Sequence, residues 1–276
     1  MPTPDFTAAA RNTNRAPANV TGLAPRASRY ALCIPVINEG ARLHAQLDRM
    51  RAVAATVDIV IADGGSTDGS TDPDRLRGFG VRALVTTRER GGLSAQLRSA
   101  FAHALDAGYE GIATMDGNNK DDPEAVPLML RALDFGFDHV QGSRFIRGGR
   151  AVNTPWIRLA AIRLLHAPAI SLAAGARYTD TTNGCRAYSR RLLLDPRVAP
   201  LRQTFQRYEL PYYLAVRAAQ LGYRVIEVPV TRRYPRHGVP TKIRPVTGHL
   251  GILAALWAVW RRRYDPTEST AVRLAR

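Results

Sequence analysis

Residues 111–124, GIATMDGNNKDDPE, carry the strongest single indication of fold and site in this 276-residue chain. An apolar run of the length of a buried strand end stops at Asp116, and acids and amides follow. Polar side chains after a parallel strand lie at the sheet edge where α/β proteins bind ligands, and carboxylate and amide oxygens there suit Mg²⁺ or Mn²⁺ on a phosphate. The alternative is a polar loop in which Asp122 caps a helix beginning at Pro123. The segment alone leaves both interpretations open.

Outward from this segment, apolar strand-like runs alternate with helical patterns. The strand-like runs are residues 30–37, 57–62, 81–86, 111–115 and 139–142. Helical patterns between them include residues 94–107, with Ser94 as the expected N-cap, and residues 123–133. A repeated strand–helix unit predicts an α/β fold with a doubly wound, mostly parallel sheet flanked by helices.

Beyond Gly148 the pattern changes to longer helices. We expect helices over residues 156–174, 203–221 and 246–263, a strand over 223–231, and a polar segment over 178–190. The resulting domain organisation is a disordered N-terminal segment (1–28), one domain (29–245), a C-terminal amphipathic helix (246–264) and a flexible tail (265–276).

The net charge of +16 and the pI near 10.9 favour polyanionic partners, namely nucleic acid, anionic lipid headgroups or nucleotide phosphates. A nucleic-acid-binding surface is disfavoured because the arginines are scattered and not interleaved with aromatics on one face. Cys33 and Cys185 form no metal or redox motif, and nothing indicates an oxidising compartment.

Membrane-spanning and secretory segments are not expected. The N-terminus lacks the apolar core of a signal peptide, and no window supplies the roughly 18 to 20 uninterrupted apolar residues that span a bilayer. Residues 156–175 are interrupted by Arg158, Arg163 and His166, and residues 250–260 are too few.

Three strand ends carry acids followed by small residues. They are Glu39, Asp63-Gly64-Gly65 and Asp116-Gly117-Asn118. In a parallel sheet these ends meet at one edge, where a nucleotide needs acceptors for its base and ribose and a metal for its phosphates. Glycine beside each acid permits close approach of backbone and ligand.

At this point the chain resembles a known family. The segments IPVINEG, IADGGSTDGS, GGLSAQLRSAF, MDGNNKDDPE, QGSRF, DTTNGCRAYSR and RRYPRHGVPTKI are similar, in this order, to motifs of family 2 glycosyltransferases, and most similar to the dolichol- or polyprenyl-phosphate sugar synthases. The resemblance covers about residues 29–243. It implies a GT-A fold, a nucleotide-diphosphate sugar donor, Mg²⁺ or Mn²⁺ as cofactor, and inversion of the anomeric centre.

The resemblance also assigns donor binding to particular residues. They are Pro35, Ile37, Glu39, Asp63, Asp116, Gly117, Asn118, Lys120, Arg144, Arg236 and Lys242. Asp63 matches the acid that reads the base, Asp116 and Asn118 the metal-binding Asp-x-Asp, and Arg236 and Lys242 the loop that closes over the diphosphate. We expect Asp116 and Arg144 to be catalytic, because charge develops on the leaving nucleotide.

Three departures from the family pattern affect the site. Asn118 replaces the second aspartate, so the metal is offered one formal charge fewer. Lys120 adds a cation where the family has a neutral or titratable residue, which either contributes charge to the phosphates or pairs with a neighbouring acid. The closing loop carries an extra residue, with Pro240-Thr241 before Lys242.

The acceptor decides whether a base is needed. Asp180 and Arg186 match the acceptor segment of the lipid-phosphate branch, and a lipid phosphate is already anionic near neutral pH. A hydroxyl on a saccharide or secondary metabolite would need a general base, for which Glu209 is the candidate. Two alternatives stay open: Glu209 as a capping or solvated glutamate, and Arg186 as a structural ion-pair partner.

The C-terminal helix resembles an interfacial anchor. Trp257 and Trp260 precede three consecutive arginines, a pattern typical of aromatics at headgroup level and cations on lipid phosphates. With the arginine-bearing helix over 156–174, it predicts a cytoplasmic enzyme lying peripherally on the anionic membrane face. The alternative is a helix packed on the core with a solvated basic end. The sequence does not give the oligomeric state.

Overall fold

The computed structural model describes residues 18–88, 92–235 and 247–267, and for residues 247–253 the backbone alone. The strands in chain order are β1 Ala18–Gly22, β2 Tyr30–Val36, β3 Asp58–Asp63, β4 Val81–Thr87, β5 Gly111–Thr114, β6 His139–Ser143, β7 Arg150–Val152, β8 Arg186–Ser189, β9 Val225–Pro229 and β10 Thr231–Arg233. The helices are α1 Ala41–Arg49, α2 Pro73–Gly78, α3 Leu93–Asp106, α4 Ala125–Asp134, α5 Trp156–Ala161, α6 Ala167–Ala174, α7 Arg190–Leu194, α8 Glu209–Gln220 and α9 Thr247–Trp260.

Eight of these strands form one sheet in the order β1-β4-β3-β2-β5-β8-β6-β9. The central strands β4, β3, β2 and β5 are parallel, as are β6 and β9, while β8 is antiparallel to both of its neighbours. The parallel strands β7 and β10 form a separate ribbon. The α/β prediction with a doubly wound, mostly parallel sheet is confirmed.

Strand β2 shows how the sheet acquires two cores. Its residues alternate between two hydrophobic clusters, Ala31 and Cys33 facing one and Leu32 and Ile34 facing the other. Successive side chains of a strand point to opposite faces, so a continuous apolar run indicates a strand covered on both sides. Helices α3 and α8 cover the first face, and α1 and α4 the second.

Two strands of the eight-stranded sheet lie where the sequence predicted none. The disorder predicted for residues 1–28 is wrong for the described part, because β1 pairs antiparallel with β4 from Ala18↔Thr87 to Gly22↔Ala83 and closes the edge of the sheet. The polar segment 178–190 contains β8, whose Arg186 is buried through polar contacts. Both strands lack the apolar alternation on which the prediction depended.

Two predicted helix caps need correction. Helix α3 begins at Leu93, and the Ser94 hydroxyl instead accepts a hydrogen bond from the N–H of Leu210 at the start of α8, at 3.1 Å. Asp122 accepts from the N–H of Glu124 at 3.3 Å, so it caps the turn before α4, which begins at Ala125.

Helices α5 and α6, joined by a π-helical turn, form one continuous helix, Trp156–Ala174. Among the described residues it is long and apolar enough to cross a membrane by length and composition, with a mean hydropathy of 1.4 and only 22% of that stretch buried. The expectation that no segment qualifies is wrong here, because the apolar residues outweigh Arg158 and Arg163 in the average. Several of its large apolar side chains are exposed: Trp156, Ile157, Leu164, Leu165 and Leu172.

Candidate active site

The three acid-bearing strand ends meet at one edge of the sheet. Val36 at the end of β2 pairs with Asp63 at the end of β3, and Cys33 pairs with Thr114 at the end of β5. Asp116 follows two residues after Thr114. The register therefore places the three segments side by side, as the sequence predicted.

The nucleoside side of this edge contains Asp63 and Glu39. The Asp63 side chain is buried, and its Oδ1 accepts hydrogen bonds from the N–H and the hydroxyl of Ser66 at 2.8 and 2.7 Å. Its Oδ2 has a single long contact with the Thr86 hydroxyl at 3.5 Å. The Glu39 carboxylate pairs with Arg42 at 3.0 Å, and Pro35 and Ile37 are half-buried beside it in the chain.

Asp116 is held between two glycines. A Cβ at Gly117 would lie 2.5 Å from Val36 Cγ1, so only glycine lets the chain turn this closely over β2. A Cβ at Gly184 would lie 2.2 Å from Asp116 Oδ1, so the segment before β8 packs directly on the carboxylate. The Thr114 hydroxyl donates to the Gly184 carbonyl at 2.8 Å and fixes this contact.

Arg232 is a site residue that the sequence analysis missed. Its Nη2 lies 2.9 Å from Asp116 Oδ2 and its Nη1 2.5 Å from Asp121 Oδ2, and the side chain is buried. Burial alone would lower the pKa of Arg232, but the two carboxylates raise it, so the guanidinium is charged. The available signal was two successive arginines after a buried strand, because one of them must point inward and an inward arginine needs acid partners.

Lys120, Arg158 and Arg232 surround the ring of Tyr234 and are called the basic cluster below. Lys120 Nζ lies 5.1 Å from the ring centre, and the guanidinium carbons of Arg158 and Arg232 lie 5.4 and 5.7 Å from it. The Tyr234 hydroxyl also accepts from Arg158 at 2.9 Å. Burial, then the positive charge of Arg232, lowers the pKa of Lys120.

Asp116 and Asn118, the two predicted metal ligands, carry carboxylate and amide oxygens, which are donor types that Mg²⁺ and Mn²⁺ take in proteins. The Asn118 amide N–H lies 3.4 Å from Asp116 Oδ2, and its Oδ1 accepts from the Lys120 N–H at 3.3 Å. No group of three or more His, Cys, Asp or Glu residues in the described part of the chain could hold an ion. The two predicted ligands fit a divalent ion only with further oxygens from the substrate.

Arg144 and Asp180 form a buried ion pair. Arg144 Nε donates to Asp180 Oδ2 at 2.6 Å and Nη2 to Oδ1 at 2.9 Å, with both side chains at most 1% exposed. Glu227 holds the next segment, accepting from the N–H groups of Thr179 and Asp180 at 2.9 and 3.0 Å. Arg144, predicted to bind the sugar donor, and Asp180, predicted to bind the acceptor substrate, therefore pair with each other. This pair positions the segment before β8.

Arg186, the first residue of β8, is buried below the same segment. Its guanidinium donates to Gln141 Oε1 at 2.8 Å and to the Thr181 carbonyl at 2.7 Å, and its Cζ lies 6.0 Å from the Tyr212 ring centre. Its partners are neutral, so it is not the ion-pair partner that the structural alternative required. Its charge is left without a carboxylate among these contacts.

Glu209 begins α8 and binds backbone. Its Oε2 accepts from the N–H groups of Gln206 and Arg207 at 3.2 and 2.7 Å, which is the capping alternative. The geometry gives no support to Glu209 as a general base. Arg236 and Lys242, predicted to close over the diphosphate, lie outside the described residues.

Comparison with known proteins gives a consistent result. The family model for glycosyl transferase family 2 matches residues 31–195. The chain is 30% identical over 212 residues to the polyprenol monophosphomannose synthase of Mycolicibacterium smegmatis, covering 74% of this chain and 77% of the relative. It is 32% identical over 208 residues to the undecaprenyl-phosphate mannosyltransferase of Micrococcus luteus, covering 74% and 83%.

Solved structures give the same fold. A glucosyl-3-phosphoglycerate synthase from Mycobacterium tuberculosis, crystallised with Mn²⁺, uridine diphosphate and glucosyl-3-phosphoglycerate, superposes with a TM-score of 0.57 at 20% identity, covering 87% of this chain and 81% of that one. The same enzyme crystallised with Mn²⁺ and UDP-glucose has a TM-score of 0.59 at 22% identity, covering 87% and 80%. The expected GT-A fold is confirmed.

Proposed function

This chain belongs to glycosyl transferase family 2, and we propose that it moves a sugar from a nucleotide-diphosphate sugar, with inversion, onto a polyprenyl phosphate. The observation that carries the proposal is the meeting of Asp63, Asp116 and the basic cluster at one edge of the sheet. Support for the acceptor comes from the relatives, which are named for polyprenol and undecaprenyl phosphates.

The donor lies across the three strand ends in this proposal. Asp63 Oδ2, with its single long contact, accepts a base N–H, and Glu39 with Pro35 and Ile37 contacts the nucleoside. Gly117 has no side chain, so the diphosphate can approach the backbone closely at this position. The sugar then lies next to Asp116, beyond the diphosphate.

Charge on the leaving diphosphate is stabilised from two sides. The basic cluster supplies fixed positive charge, which needs no reorganisation as the bond breaks. Asp116 and Asn118 would hold Mg²⁺ or Mn²⁺, which when bound acts as a Lewis acid on the diphosphate oxygens. The solved structures crystallised with Mn²⁺ support the divalent ion as a cofactor.

The acceptor phosphate approaches from the side of Arg186. This guanidinium has no carboxylate among its contacts, and the buried Arg144–Asp180 pair fixes the segment that carries its carbonyl partner Thr181. An ionised phosphate oxygen attacks the anomeric carbon without losing a proton, so the capping role of Glu209 is compatible with transfer.

A lipid acceptor requires access to a membrane surface. Helix Trp156–Ala174 exposes Trp156 and Leu164, at 76% and 79%, and Arg163 on the same helix is also exposed. Helix α6 packs against α9, where Trp257 and Trp260 are about half exposed. We propose that these two helices lie on the anionic cytoplasmic membrane face, with apolar side chains in the lipid and arginines on the phosphates.

The test is transfer to a defined lipid. The purified protein is incubated with undecaprenyl phosphate in detergent micelles and with each of a panel of labelled UDP-, GDP- and dTDP-hexoses. We expect one donor to give organic-phase label, and Asp116→Ala to lower the rate at least about 100-fold while Asp122→Ala on the same loop does not. Absence of lipid-linked label with every donor would overturn the proposal.

A further inference from the structure

The strongest unexplained feature of the site is that the metal-binding carboxylate already has a cation. Arg232 contacts Asp116 Oδ2 at 2.9 Å and Asp121 Oδ2 at 2.5 Å. Asp121 is fully buried, and Asp116 is 27% exposed. A charged group therefore joins the predicted metal ligand to an interior acid that the family resemblance does not use.

Arg232 is fixed to this position by the backbone. The Asp122 N–H donates to the Thr231 carbonyl at 3.1 Å, and the Arg233 N–H donates to the Lys120 carbonyl at 2.7 Å. These two bonds tie β10 to the loop that follows Asp116, while β7 pairs with β10 on the other side. Strand pairing thus fixes the backbone of Arg232, and burial together with the two carboxylate contacts holds its guanidinium.

The charge balance disfavours an additional divalent ion. The basic cluster contributes three positive charges, against the carboxylates of Asp116 and Asp121. Asn118 adds an amide without charge, and its N–H points at the same Asp116 oxygen that Arg232 uses. An incoming ion therefore meets a carboxylate that is already neutralised and a surrounding of like charge.

We propose that Arg232 is a built-in competitor for the metal site: it neutralises Asp116 in the free enzyme, weakens divalent-ion binding, and supplies part of the ion's charge during transfer. This rests on the proposed function. The bond between the anomeric carbon and the diphosphate oxygen breaks with its electron pair on the diphosphate, and the acceptor phosphate oxygen forms the new bond. In this step Arg232 holds Asp116 in place and, with Lys120, contributes positive charge beside the diphosphate.

The first test measures ion binding directly. The free Mn²⁺ signal in electron paramagnetic resonance is followed as wild-type enzyme, without nucleotide, is added. The matched variant is Arg232→Met with Asp121→Asn, which leaves no charged Asp121 in the interior and releases the partly exposed Asp116 carboxylate from Arg232. Arg233→Met, an exposed arginine on the same strand, is the control.

We expect the double variant to bind Mn²⁺ at least tenfold more tightly than wild type, and the control to match wild type. Adding Asp116→Asn to the double variant should abolish the gain in Mn²⁺ affinity, which would assign the binding site to Asp116. Wild-type binding as tight as that of the double variant would overturn the proposal. If the double variant does not fold, the wild type alone decides: stoichiometric Mn²⁺ binding at submillimolar concentration would overturn the proposal.

The second test separates this inference from the proposed function. In excess chelator, lipid-linked transfer by wild type should fall by a factor at least tenfold smaller than transfer by the double variant, because Arg232 still supplies positive charge beside Asp116 when the ion is removed. A wild-type rate that vanishes in chelator contradicts the role of Arg232 but leaves the glycosyltransferase function intact. Absence of transfer with every donor and metal contradicts the proposed function itself, while the Mn²⁺ binding comparison still decides the role of Arg232.

Discussion

At the residue scale, Gly184 is the contact that aligns Asp116. A Cβ at this position would lie 2.2 Å from Asp116 Oδ1. We expect Gly184→Ala to displace the carboxylate and to lower kcat at least about tenfold, because small displacements of a catalytic group are costly. Steady-state kinetics measure the effect, and Gly78→Ala, which has no neighbour within 4 Å, is the control. An unchanged kcat would show that the carboxylate position does not limit the rate.

Some residues of the site could be predicted from the sequence and others could not. Asp63 and Asp116 were found because acids after apolar strands in a parallel sheet must share an edge, and that depends on local pattern alone. Arg232 was missed because its role depends on the ribbon between β7 and β10 and on the interior acid Asp121. A pairing between residues 111 positions apart leaves no periodic signal in one sequence.

At the scale of elements, the Arg144–Asp180 pair joins the end of β6 to the segment before β8. Both side chains are buried, so removing one leaves the other charge uncompensated. We expect Arg144→Met to lower the free energy of unfolding by about 3 to 5 kcal/mol in urea titrations. The exposed Arg147→Met should change it by less than about 0.5 kcal/mol. A stable Arg144→Met variant that has only lost activity would instead favour a direct catalytic role.

His139 on β6 gives a pH dependence of stability. Burial, and then the positive charge of Arg186, lowers its pKa from 6.5 to about 3. Below pH 6.5 the unfolded chain takes up a proton that the folded chain refuses, so this residue lowers stability progressively between pH 6.5 and 3. The slope approaches about 1.4 kcal/mol per pH unit.

His139→Phe keeps a ring against Tyr178 and Tyr188 and removes the titrating group. We expect the difference in unfolding free energy between variant and wild type to shift in favour of the variant as pH falls from 6.5 to 4.5. Urea titrations at pH 8, 6.5, 5.5 and 4.5 measure this difference. A pH-independent difference would mean that the imidazole titrates equally in both states.

At the scale of the whole molecule, the exposed apolar helix Trp156–Ala174 defines one side of the protein. We expect cosedimentation with phosphatidylglycerol vesicles, and at least tenfold weaker binding for Trp156→Ser with Leu164→Ser, because each side chain contributes roughly 1.5 kcal/mol or more when buried. Phe135→Ser, 74% exposed at the end of α4, is the control. Equal binding by wild type, the double variant and the control would show that this helix does not contact the membrane.

The central parallel strands and their flanking helices could be predicted from the sequence, but strands β1 and β8 could not. Alternation of apolar strands and helices follows from burial on both sheet faces, which the apolar runs at β2 and β3 record directly. Edge strand β1 and antiparallel β8 are short and mix polar with apolar residues, so hydropathy does not reveal them. The predicted closing residues Arg236 and Lys242 lie outside the described residues and stay predictions.

The acceptor that we propose is a phosphate on a polyprenyl chain. The most direct measurement gives the enzyme its preferred nucleotide-sugar with equimolar undecaprenyl phosphate and undecaprenol, and follows the mass of each lipid. We expect a gain of one hexose on the phosphate-bearing lipid alone, since Arg186 is proposed to bind the phosphate and the Glu209 carboxylate is occupied by backbone N–H groups. A hexose on the free alcohol, with the phosphate lipid unchanged, would contradict it.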